Sequence, residues 1–154
     1  MAKNRTKQVV MAGIVTLALF VGAVSGFAFS LGKYEKVKAN KGIITVPVEK
    51  LADGKARFYK FKDGGKDITF FAVKAADGSI RTAFDACDAC YRDKKGYEQQ
   101  GDKMNCKNCN QKFAIKRLGP NATGGCNPGY LPHKQNGKTI SVSVTDLKGG
   151  ARYF

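Results

Sequence analysis

One histidine, 12 acidic residues against 27 basic ones, and no convincing amphipathic helix after residue 32 define this chain by what is scarce. A single histidine, His133, removes the histidine-rich metal sites. It sits in "YLPHKQN" just before a turn, where an exposed loop histidine with at most an auxiliary ligand role is expected. The shortage of acids leaves a formal net charge of +15. Of the 27 basic residues, 24 lie from Lys33 onward with all 12 acids, so that part alone carries +12. Such a field favours anionic partners. The lysines are scattered rather than gathered in a stripe, which weighs against nucleic acid and leaves an acidic protein or a solvated surface. Without amphipathic helices, an α/β thiol–disulfide fold, whose Cys-x-x-Cys opens a helix, ranks last. No side chains are arranged for hydrolysis or group transfer.

Long apolar runs are confined to the start. Lys3, Arg5 and Lys7 precede Val9–Leu31, "VVMAGIVTLALFVGAVSGFAFSL". As a helix this would span about 34 Å, enough for a hydrocarbon core of about 30 Å. We read residues 1–32 as an uncut, single-pass membrane anchor. A signal peptide cleaved near Ala23-Val24-Ser25 or Gly26-Phe27-Ala28 is the alternative, and would leave the domain secreted. A short basic tail before a first helix stays inside, which puts the C-terminal domain outside the cytoplasm. No twin-arginine pair precedes the run, so a cluster inserted before export would lack a route for folded cargo. Residues 33–42 read as a tether, and residues 43–154 as the domain.

From Ile43 the chain breaks into strand-length stretches rich in β-branched and aromatic residues. These are "IITVPVEKL", "ARFYKFK", "ITFFAVK", "SIRTAF", "KFAIKRL" and "KTISVSV", punctuated by Asp63-Gly64-Gly65, Asp77-Gly78 and Asn136-Gly137. This pattern predicts an all-β domain of hairpins. Its expected core is Ile44, Phe58 or Tyr59, Phe61, Ile68, Phe70, Phe71, Val73, Phe84, Phe113, Ile115, Ile140, Val142 and Val144.

The five cysteines carry the chemistry. Cys87 and Cys90 form one Cys-x-x-Cys in "FDACDACY", and Cys106 and Cys109 a second in "NCKNCNQKF", with fifteen residues between. One such pair is weak evidence. Two at this separation predict turns whose four thiolates converge on one ion or cluster. Two local disulfides are the competing reading, and such short loops constrain the unfolded chain little. Cys126 lies in the Gly/Pro-rich segment 119–129, as an additional ligand, a neighbouring sulfur or a small buried residue. Asp85 and Asp88 flank the first pair, where carboxylates commonly cap turns. Zinc or copper in a structural or metal-handling role fits four thiolates as well as iron does.

The order strand, ligand loop, ligand loop, strand, Gly/Pro loop, hairpin resembles the cluster-binding part of Rieske-type domains. Cys90 and Cys109 stand where that family carries histidine, with one extra residue in the first loop. An all-thiolate [2Fe–2S] centre would have a potential near ferredoxin values, roughly −400 mV. A closer resemblance is to the FtrD-like family of membrane iron–sulfur proteins. It rests on "FDACDACY", "KKGYEQQG", "CKNC" and "GGCNP", in order between Phe84 and Pro132. It implies a membrane-associated protein with an iron–sulfur ([2Fe–2S] or [4Fe–4S]) or other metal centre, which the spacing of the thiols puts at Cys87, Cys90, Cys106 and Cys109, with Cys126 and His133 as possible additions. It also implies electron transfer rather than enzymatic turnover, alongside an iron-permease system. Larger relatives carry many membrane segments where this chain has one.

Overall fold

A computed structural model describes residues 32–154. The expected anchor at 1–32 lies outside the described residues but for Gly32. Among the described residues, no helix is long and apolar enough to cross a membrane.

The domain is built from ten strands in three sheets. The central sheet has the order β1-β3-β4-β5, comprising Tyr34–Val37, Arg57–Asp63, Lys66–Lys74 and Ile80–Phe84. Its strands pair antiparallel except β1, which runs parallel to β3. A second sheet joins β2 (Ile43–Pro47), β10 (Thr139–Ser143) and β9 (Lys134–Asn136). The third is a meander of β6 (Tyr97–Gln100), β7 (Lys103–Cys106) and β8 (Lys112–Ala114).

The sequence of β4 explains this layering. Six consecutive residues, Ile68 to Val73, are buried, whereas a one-sided strand alternates. Ile68, Phe70 and Ala72 join Tyr59, Phe84, Ile140 and Val142 in one core. Phe71 and Val73 join Ala83, Tyr97, Met104 and Ile115 in the other, together with Cys87 and Cys106. Each face of the central sheet is therefore covered, one by β2-β10-β9 and the other by β6-β7-β8. Phe70 and Phe71 are 0 % exposed and point to opposite faces, and burying each contributes about 1.5–3 kcal/mol.

The hairpin reading holds, with particular differences. Residues 34–37, assigned to a tether, form β1: Tyr34 packs its ring on Phe58 and Val37 leans on the larger core. The stretch "KFAIKRL" is strand only to Ala114, after which Ile115–Arg117 closes as a 3₁₀ turn. A short helix, α1 (Val144–Gly149), follows β10. Ser143 caps it: its Oγ accepts from the Asp146 amide at 3.0 Å and donates to the Asp146 carboxylate at 2.7 Å. Of the expected core, Phe58, Phe61, Phe113 and Val144 are only partly buried.

Candidate metal centre

Both Cys-x-x-Cys segments are closed by the same backbone hydrogen bond. Tyr91 N–H donates to the Cys87 carbonyl at 3.1 Å, and Asn110 N–H to the Cys106 carbonyl at 2.8 Å. In each case the residue four positions on closes a loop around the two sulfurs. The first turn leaves the end of β5, with Cys90 N–H donating to Cys87 Sγ at 3.3 Å. The second begins at the last residue of β7 and returns into β8. Asn110 sits there at φ 61, a left-handed conformation that asparagine tolerates better than most side chains.

These turns bring their sulfurs together. Cys90, Cys106 and Cys109 hold their sulfurs within 4.8 Å of one another. So do Cys87, Cys90 and Cys126, and Cys90 belongs to both groups. The third loop thus reaches the site through Cys126, whose sulfur is 3.6 Å from that of Cys90. It is tied down from two sides: the Gly125 carbonyl accepts from the Ala89 amide at 3.2 Å, and the Cys126 carbonyl accepts from the Tyr97 hydroxyl at 2.5 Å. All five cysteines are free thiols. His133 joins neither group; its Nδ1 lies 2.8 Å from Thr82 Oγ1, and burial lowers its pKa.

Accessibility grades across the site. Cys87 and Cys106 are buried, Cys90 and Cys126 half-buried, and Cys109 exposed. Burial pushes the Cys106 thiol up to about 11. The backbone N–H of Gln111 aimed at Cys109 pulls that thiol down to about 7. The neighbouring Cys109 thiol, with burial, pushes the Cys126 thiol up.

A buried carboxylate that the spacing of the cysteines did not advertise holds the loops in place. Asp85 lies two residues before Cys87 and its side chain is 0 % exposed. Its Oδ1 accepts from the Tyr97 amide at 2.6 Å, and its Oδ2 accepts from the Tyr34 hydroxyl at 2.6 Å and the Lys33 amine at 2.5 Å. Burial raises its pKa, and Lys33 opposes the shift. Asp85 therefore does not cap its own turn. It ties the first ligand loop to the start of the hairpin that carries Cys106 and Cys109. Gly96 makes room for it: a Cβ there would come within 2.6 Å of the carboxylate, at φ +65. Asp88 turns outward and accepts from the Tyr153 hydroxyl at 3.0 Å.

The donor set decides what the site suits. Asp85 has its oxygens taken by three donors and His133 is engaged elsewhere, which leaves sulfur alone. Five thiols, two of them in an apolar core, fit a thiophilic centre such as an iron–sulfur cluster, zinc or copper(I), and not a hard cation. The residues present fit an iron–sulfur group, with one sulfur more than its four cysteine positions require.

Residues 51–154 match the family described as "Membrane iron-sulfur containing protein FtrD-like". No curated protein matches the chain. The matched span holds all three loops and every strand from β3 to β10, so by its sequence and its cysteine centre the chain belongs to the FtrD-like family of membrane iron–sulfur-containing proteins.

Proposed function

We propose that this protein is a membrane-anchored electron carrier whose iron–sulfur centre is held by Cys87, Cys90, Cys106 and Cys109. The observation that carries the reading is the meeting of sulfurs from three separate loops at Cys90. When bound, such a centre supplies reversible one-electron chemistry. The chain's own part is to hold and screen it. Two thiolates come from the apolar core beneath the central sheet, and the 119–129 loop lies over the site with Cys126 as a fifth sulfur. Amides directed at sulfur, Cys90 N–H at Cys87 and Gln111 N–H at Cys109, stabilise negative charge there and so tune the potential. The strand and loop order supports a Rieske-like arrangement in which thiolates replace the histidines. An exposed Cys109 gives electrons a short way out.

The same reading puts the domain outside the cytoplasm, on an anchor formed by the apolar run Val9–Leu31, with its electrons serving an iron-permease system. Metal and acid-labile sulfide analysis of the full-length chain, purified anaerobically in detergent, tests it. Equal iron and sulfide, visible absorbance and a paramagnetic signal after reduction are the expected result. A colourless protein holding zinc overturns it. That outcome would match the second reading, a structural zinc site, which a set of thiols with no other free donor suits as well as it suits iron.

A further inference from the structure

Charge on the described surface is unevenly neutralised. The segment 94–127, from the start of β6 through the third loop, carries Lys94, Lys95, Lys103, Lys107, Lys112, Lys116 and Arg117 against Glu98 and Asp102 alone, an excess of five positive charges. All seven cations are exposed. Among the described residues the ion pairs use Lys33, Lys50, Arg57, Lys60, Arg81, Lys148 and Arg152, none of them in this segment. Glu98 is occupied by the side-chain amides of Gln100, at 2.7 Å, and Asn105, at 3.3 Å. The lobe holding Cys106, Cys109 and Cys126 is thus a field of unpaired cations.

A groove of about 620 Å³ lies in this lobe, lined by Lys103, Lys112 and Arg117 and by Asn121 and Asn127 of the third loop. Phe113 lies in its lining and packs edge-on against Tyr97, ring centroids 6.5 Å apart. Tyr97 belongs to the same core as Cys87 and Cys106, and its hydroxyl holds the Cys126 carbonyl. One aromatic layer therefore separates the groove from the sulfur site.

We propose that this groove is the docking site of an acidic, extended segment of a partner protein, which it seats beside the cysteine centre. The inference rests on the electron-carrier reading for its purpose but not for its binding. Charge complementarity selects the occupant. A compact anion would engage the groove's own Lys103, Lys112 and Arg117 at most, whereas a longer run of carboxylates fills the groove and extends past it towards the segment's other exposed, unpaired cations. The unpaired cations also give such a partner a long-range electrostatic pull that salt weakens.

The test uses full-length protein in detergent and a fluorescein-labelled decaglutamate peptide, read by anisotropy at low and at physiological salt. K103E/K112E/R117E should weaken binding at least tenfold. The remote reversal K36E/K62E/K134E, equal in charge, should change it less than threefold. The neutral variant K103Q/K112Q/R117Q should fall between wild type and the groove reversal, and thermal melts check that each variant is folded. Equal losses from the groove and remote reversals overturn the proposal, since net charge alone would then account for binding. Displacement of the peptide by micromolar citrate overturns it in favour of a small-anion site, and tighter groove-dependent binding of a single-stranded oligonucleotide overturns it in favour of nucleic acid. If the protein proves to hold zinc while the groove variants still release the peptide, the docking site stands and the electron-carrier reading falls.

Discussion

Asp85 offers the sharpest test of how the cysteine loops are held. Asp85→Ala removes the acceptor of three donors, the Tyr97 amide, the Tyr34 hydroxyl and the Lys33 amine, from a position whose side chain is 0 % exposed. Each hydrogen bond to a charged group contributes about 1.5–3 kcal/mol. They are not additive, and Tyr34 and Lys33 can turn towards water once released, since Lys33 keeps 30 % of its side chain exposed. The Tyr97 amide cannot, because Tyr97 is 1 % exposed in the core around Cys87. A total loss of about 3–5 kcal/mol follows, the range for removing one partner of a buried ion pair. Asp85→Asn keeps one carbonyl oxygen as acceptor and costs about 2–3 kcal/mol, most of it at Lys33. Thermal unfolding of the metal-loaded chain, followed by circular dichroism, should show a drop of roughly 10 °C for the alanine variant and about half that for asparagine. Metal retention against a chelator should fall in the same order, because the carboxylate joins one ligand loop to the other. An alanine variant within about 1 kcal/mol of wild type would refute the claim that this carboxylate fastens the site.

The remaining expectations concern the backbone, the thiols and the metal. Gly96→Ala should cost about 2–4 kcal/mol, since its Cβ would press within 2.6 Å of the Asp85 carboxylate at a positive φ; Gly78→Ala, at φ +83 but with nothing within 4 Å, should cost about 1 kcal/mol in the same denaturant titration. In metal-free protein, iodoacetamide should modify Cys109 first, at a rate that rises with pH and is half-maximal near 7, while Cys106 responds only towards about 11; mass spectrometry of the quenched digests reads both. Removing the metal should expose the amides of β6–β8 to hydrogen exchange and spare β3–β5, because only the smaller core counts cysteines among its buried members.

The sequence carried the hairpins and the two cysteine turns plainly, for particular reasons. Asp-Gly and Asn-Gly steps need a left-handed residue, and Gly78 and Gly137 supply it where the strands reverse. Cys-x-x-Cys closes a local turn whatever lies around it, so the two turns were legible from spacing, whereas the grouping of their sulfurs was not: Cys90 lies with Cys106 and Cys109, and Cys87 and Cys90 lie with Cys126 of the third loop. What spacing could not reveal were contacts across long separations. Asp85 meets Lys33 and Tyr34 some fifty positions away, which is why β1 read as a tether and the carboxylate as a turn cap. The strands β6 and β7 carry no strand-length apolar run, because "YEQQ" is polar after its tyrosine and "KMNC" has only Met104 ahead of its cysteine; their place is fixed by pairing and by the burial of Tyr97, Met104, Asn105 and Cys106. The helix α1 did leave a signal, Ser143 three residues before Asp146 and then Leu147, a capping pair ahead of a buried anchor.

The two faces of the central sheet bear unequal duties, and this division explains where the centre lies. On one side Tyr59, Phe70, Phe84, Ile140 and Leu147 form a core of large apolar groups that needs no metal to close. On the other, Phe71 and Val73 meet a thinner layer in which Cys87 and Cys106 stand where aliphatic side chains would otherwise pack. A thiol is a small, weakly polar residue, so it enters such a layer at little cost; a thiolate does not, unless a cation neutralises it. Placing two thiols there and three nearer the surface gives one end of the cysteine cluster to the core and the other to solvent. The buried pair fixes the geometry through the strands that carry it. The surface trio, Cys90, Cys109 and Cys126, lies where partners can approach. A centre sunk wholly in the larger core would be better shielded but out of contact, and one on the surface alone would have no rigid element to aim its sulfurs.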